Sequence, residues 1–148
     1  MKKLAIIAIL AAAVTSASAL EVGVVTGRNF GPDRNGVGVT LGQQFGNFGL
    51  EGSAIRSTTG TANVNLFGVT GSYNVYKNKN FTVMAKAGGS FVDPSVGVNG
   101  YAGQLGLGVA VPVAKNVSLT ADYAYQWTQS RVSAFEGNVL MAGIKYSF

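Results

Sequence analysis

Beyond its first nineteen residues the chain is rich in apolar side chains, yet no run of them approaches the roughly 18 residues that a membrane-spanning helix needs. Hydrophobic residues make up 47% of the sequence and charged ones only 11%, well below the share of about a quarter usual in a soluble domain. The hydrophobicity is distributed by alternation. The final segment shows it most clearly. Leu140, Ala142, Ile144, Tyr146 and Phe148 fall on one face of an extended strand, and Met141, Gly143, Lys145 and Ser147 fall on the other. Side chains on a strand repeat every two residues, so this is one apolar face backed by a small or polar one. A chain that is apolar in aggregate and alternating in detail can satisfy its backbone in lipid only as a closed sheet.

The start of the chain has a different composition. Met1-Lys2-Lys3 is a basic n-region, Leu4 to Val14 is an unbroken apolar h-region, and Ala17-Ser18-Ala19 offers the small-residue pattern of a cleavage site. Residues 1–19 are therefore expected to be a secretory signal peptide, and residues 20–148 a single barrel domain. The whole sequence carries eleven Lys and Arg against six Asp and Glu. Removal of Lys2 and Lys3 leaves nine against six, a net charge of +3 with no basic cluster, so a nucleic-acid partner is not expected.

Eight extended segments are predicted: Leu20 to Arg28, Val37 to Phe45, Phe48 to Ile55, Asn65 to Tyr76, Phe81 to Val92, Tyr101 to Val113, Val117 to Trp127, and Asn138 to Phe148. The fold class that follows is all-β, an eight-stranded antiparallel up-and-down transmembrane β-barrel. Short connections (Gly46-Asn47, Lys77 to Asn80, Ala114 to Asn116) alternate with longer ones (Asn29 to Gly36, Arg56 to Val64, Asp93 to Gly100, Thr128 to Gly137). Short periplasmic turns and longer external loops are the pattern of such barrels.

Alternation also assigns an inside. With Val37, Val39, Leu41, Leu105, Leu107 and Val109 facing lipid, the charges Glu21, Glu51, Lys86, Asp122 and Lys145 all face the lumen. An eight-stranded interior is just wide enough for side chains to fill it, and an unpaired buried charge is costly. A charge network is expected, with Lys145 pairing to Glu21 or Asp122 and Lys86 to Asp122 or Glu51. A narrow path for ions or small solutes is the alternative use of the same residues.

The sequence has no histidine and no cysteine, which removes the commonest general base, the commonest metal ligand and every thiolate site. No catalytic residue, metal site or cofactor is expected. A Ser–Lys arrangement, Ser118 with Lys86 or Lys145, is the one nucleophile pairing left to consider. The stretch Gly103-Gln104-Leu105-Gly106-Leu107-Gly108 matches no phosphate loop, and its glycines are expected to thin the wall, permit strand tilt, or make room for long inward side chains. Arg28, Arg34, Arg56 and Arg131 fall at the external rim or loops, where the planar guanidinium suits the phosphates of lipopolysaccharide.

Taken together, the leader, the eight alternating segments, the glycine-rich wall and the terminal Gly143-Ile144-Lys145-Tyr146-Ser147-Phe148 resemble the small outer-membrane barrels of the OmpA/OmpX and opacity-protein type. The resemblance implies a monomer in the bacterial outer membrane, in contact with outer-membrane lipids and lipopolysaccharide. It implies insertion by the outer-membrane assembly machinery, with Leu140, Ala142, Ile144, Tyr146 and Phe148 as the assembly signal. It implies a structural or surface-interaction role, in adhesion or resistance to host defence, rather than an enzyme.

Overall fold

The computed structural model describes residues 19–31, 33–59, 62–95, 97–129 and 135–148. Eight strands run in chain order: β1 (Leu20–Asn29), β2 (Arg34–Phe45), β3 (Phe48–Thr59), β4 (Ala62–Lys77), β5 (Thr82–Pro94), β6 (Gly100–Ala114), β7 (Val117–Thr128) and β8 (Gly137–Ser147). Each pairs antiparallel with its sequence neighbours, and β8 pairs with β1 to close the barrel. The expected eight-stranded up-and-down barrel is the fold observed, and closure leaves no strand edge unpaired.

The outer wall explains why closure requires lipid. Val24, Val39, Leu105 and Ile144 are each more than half exposed on the outward register. The inward register is buried and largely polar: Thr40, Thr70, Thr120, Asp122, Gln126 and Lys145 are almost inaccessible. This is a soluble protein turned inside out, with a belt that only a hydrocarbon solvent accommodates at low cost. At the end carrying the longer loops, the Trp127 ring lies flat over Gly103, its cross-strand partner. A Cβ at Gly103 would collide with the ring atoms, so glycine is what lets the only tryptophan lie against the wall.

Strand tilt sets which residues share a level. Tyr146 pairs with Val22, then the ladder passes through Leu41, Gly52, Val69, Gly89, Gly103 and Trp127. Gln126 pairs with Gly137, so the path regains β8 about ten residues from where it began, a stagger of the kind that closing a tilted eight-stranded sheet requires.

The strands differ from the predicted ones mainly at the loop end. β2 begins at Arg34 rather than Val37, β3 runs to Thr59 rather than Ile55, and β4 begins at Ala62 rather than Asn65. Thr59 pairs directly with Ala62, so strand pairing extends well into the stretch from Arg56 to Val64 expected as a long loop. Apolar alternation stops at the edge of the lipid belt, but backbone pairing does not. The polar ends Arg34-Asn35-Gly36 and Arg56-Ser57-Thr58-Thr59 continue the ladder beyond that edge. The loop at 30–33 is no longer than the turn at 78–81, so loop lengths alternate less than expected.

Candidate functional site

The lumen is closed at two levels. The lower is a layer of ion pairs. Lys86 Nζ lies 2.8 Å from Asp122 Oδ1, linking β5 to β7. Lys145 Nζ hydrogen-bonds Glu51 Oε2 and stands 3.9 Å from Glu21 Oε2. All five side chains are at most a fifth exposed. The expected pairing of Lys145 with Glu21 is present, but its nearer partner is Glu51, which the sequence did not foresee. The reason is geometric. Glu51 lies on β3, across the lumen from β8, and the stagger of the sheet brings it near the level of Lys145. The wall between them is low: a Cβ at Gly23 would lie 3.0 Å from Lys145 Cγ, and one at Gly42 would lie 3.5 Å from Glu51 Cβ. On the other side, a Cβ at Gly108 would collide with Asp122 Oδ1 and lie 3.1 Å from Lys86 Cε. Inward glycines thus make the room that the charged side chains occupy.

The upper level is a lid the sequence did not reveal. Phe135, from the β7–β8 connection, packs in the mouth of the barrel against Val64, Val92 and Ala102, with Leu66 beside them. Its carbonyl oxygen accepts hydrogen bonds from Asn29 Nδ2 at 2.9 Å and Gln126 Nε2 at 3.2 Å. The Arg34 guanidinium stacks on its ring, 4.5 Å from the centroid. Arg34 is therefore turned inward, and its buried Nε and Nη1 have no hydrogen-bond partner. It stands at the loop end as expected, with its guanidinium in the mouth of the barrel.

Between the two levels lies a cavity of about 100 Å³, lined by Val25, Ser53, Ser57, Thr70 and Gln104 among others. Below the ion pairs is a space of about 10 Å³ bounded by Glu21, Gln44, Met84 and Lys145. Glu51, Thr70 and Lys86 line both spaces, so the ion-pair layer is the partition. The upper space has room for a few waters and enough polar wall to hold them.

The remaining predicted residues are dispersed. Arg28 is exposed at the loop end and pairs with Asp33, its Nε 2.9 Å from Oδ1. Arg56 is exposed on the outward register of β3. Arg131 lies outside the described residues, as does the predicted signal peptide up to residue 18. On β8, Leu140, Ala142, Ile144 and Tyr146 face outward on the strand that closes the seam, and the Tyr146 and Phe148 rings meet edge to face at 4.9 Å. Ser118 pairs with Lys145 across β7 and β8, but the Lys145 Nζ is engaged by the Glu51 and Glu21 carboxylates.

This architecture has known counterparts. The crystal structure of Neisserial surface protein A superposes with a TM-score of 0.70 at 14% identity, covering 90% of this chain and 98% of that one. The fold is that of the small eight-stranded outer-membrane barrels. A de novo designed transmembrane β-barrel gives 0.60 at 16% identity, over 90% of this chain and 98% of the design. The attachment invasion locus protein Ail of Yersinia pestis, in complex with the heparin analogue sucrose octasulfate, gives 0.55 at 18% identity, over 88% and 97%. At these identities the likeness is one of fold. No protein-family model matches the sequence, and no curated protein sequence is detectably similar to it.

Proposed function

We propose that the protein is an integral barrel of the bacterial outer membrane with an envelope-structural or surface-interaction role, and not an enzyme or an open pore. Residues 1–19 direct export and are removed. The short turns face the periplasm and the longer loops face outward. Leu140, Ala142, Ile144, Tyr146 and Phe148 form the strand that the assembly machinery reads. The observation that carries the reading is the lumen, blocked by Phe135 above and by the Lys145–Glu51 and Lys86–Asp122 pairs below. A barrel with a packed interior offers its partners only its rim and outer surface. The direct test is planar-bilayer recording of the refolded mature protein. No steady single-channel conductance is expected, and a large one would make the pore the better reading.

On the outer surface, Arg28 and Arg56 are the described arginines exposed at the loop end, at the height where a phosphorylated glycolipid would stand. Ail, a barrel of the same fold, has been solved in complex with a polyanion, the heparin analogue sucrose octasulfate. The double substitution Arg28→Gln and Arg56→Gln is expected to lower retention of lipopolysaccharide by the purified barrel severalfold, with less effect on lipopolysaccharide stripped of its phosphates. Equal retention by the two proteins would exclude these residues as the contact.

A further inference from the structure

Among the described residues, the exposed charged side chains at the end of the barrel that carries the short turns are all of one sign. Lys77, Lys79 and Lys115 are exposed there, and none forms an ion pair with a described residue. The turns themselves, at 46–47, 78–81 and 115–116, contain no Asp or Glu. Glu21 and Glu51, the acids closest to this end, are turned into the lumen and engaged with Lys145.

The lysines are carried on well-defined backbone. Asn78 Oδ1 accepts hydrogen bonds from the Asn80 and Phe81 amides, both at 2.8 Å. Asn116 Nδ2 donates to the Ser147 carbonyl at 2.6 Å, and the Ser147 amide donates to the Asn116 carbonyl at 2.8 Å. The two hairpins that bear the lysines, β4–β5 and β6–β7, are neighbours through the β5–β6 ladder, which reaches Thr82 and Ala110. The third turn, Gly46-Asn47, is uncharged. The cations therefore form an arc on one side of the rim.

Directly beside this arc the outward surface is apolar and aromatic. Val75, Tyr76, Phe81 and Val113 are exposed, and the Tyr76 and Phe81 rings meet at a tilt of 34°, 5.5 Å between centroids. Aromatic rings on a lipid-facing wall settle at the level of the headgroups, and a lysine just beyond them sits among the phosphates, its stem along the apolar surface. We infer that Lys77, Lys79 and Lys115 form a binding surface for anionic phospholipid headgroups in the leaflet at the turn end. The surface draws such lipids into the shell around β4 to β7 in preference to zwitterionic ones. An ammonium is a compact point charge that meets a phosphodiester from any direction, which suits a mobile lipid better than a fixed fork does.

The inference rests on the membrane reading above, and the test separates the two. The mature protein is refolded into nanodiscs of phosphatidylcholine containing trace spin-labelled phosphatidylglycerol or phosphatidylcholine, and the motionally restricted fraction of each label is compared. The wild type is expected to favour the anionic label by roughly fivefold, from a contribution of that order per lysine weakened by screening. Lys77→Gln, Lys79→Gln and Lys115→Gln together should bring the ratio close to one, and 0.5 M salt should do much the same to the wild type. Arg28→Gln with Arg56→Gln should leave most of the preference in place. Failure to insert would sink the membrane reading. Insertion with no headgroup preference, a preference that survives the triple substitution, or binding to isolated peptidoglycan in place of lipid would each overturn the inference.

Discussion

Replacing Lys145 with methionine is expected to destabilise the folded barrel by about 3–5 kcal/mol, the cost typical of removing one partner from a buried ion pair. The substitution keeps most of the unbranched side chain and removes its charge. It leaves Glu51 without its hydrogen-bond donor and Glu21 without the cation 3.9 Å away. Both carboxylates are largely out of solvent, so salt will screen the loss little. Removing a stranded charge should restore much of what was lost. Lys145→Met with Glu51→Gln should cost clearly less than the two single changes added, with a coupling on the order of 0.5–3 kcal/mol. Glu21→Gln should couple more weakly, because its contact with Lys145 is longer. Asp122 should couple weakly as well, since its direct partner is Lys86. Equilibrium urea unfolding in lipid vesicles measures all four terms. Strictly additive costs for Lys145 and Glu51 would show that the cross-lumen pair is not a unit.

That cycle targets a partner the sequence could not name, and the reason lies in what alternation encodes. Val37, Val39 and Leu41 face out and Thr40 faces in whatever the strand pairs with, because the pleat alone decides the face. Inside versus outside was therefore legible for every strand, and with it the number of strands and the closed sheet. Lys86 meets Asp122, one of the two partners considered for it, since both strands lie on the same side of the lumen. The Lys145–Glu51 contact depends on the stagger of the whole sheet, which is the accumulated register of eight pairings. No local pattern contains that quantity. The same applies to Arg34. Its charge next to Asn35 and Gly36 reads as loop, yet the ladder continues through it, and its inward register carries the guanidinium onto Phe135. Phe135 left no periodic signal at all. It is the one aromatic residue in a largely polar connection, and only its packing against Val64, Val92 and Ala102 identifies it as a lid.

The lid changes what should be expected of the closed lumen. Two barriers in series mean that relieving either one leaves the other to limit flow. Phe135→Ala removes the ring from the mouth but leaves Lys145 bridging to Glu51 below. Glu51→Ser with Lys145→Ser removes that bridge without stranding one of its ends, but leaves the apolar mouth, where a constriction of this kind excludes water and ions. Each variant alone is expected to conduct little more than the wild type. The three substitutions together open the Lys145–Glu51 side of the layer between the cavity of about 100 Å³ and the space below, with the Lys86–Asp122 pair still in place. They should yield a steady conductance several times the sum of the other two. Folding of each variant is verified beforehand by its resistance to unfolding in detergent at room temperature. If the Glu51 and Lys145 substitutions alone opened the barrel fully, Phe135 would be a surface ornament of the loop rather than a lid. If Phe135→Ala alone did so, the ion pairs would not form a seal. The pattern expected from the structure is neither, because the two closures stand at different heights and share no residue.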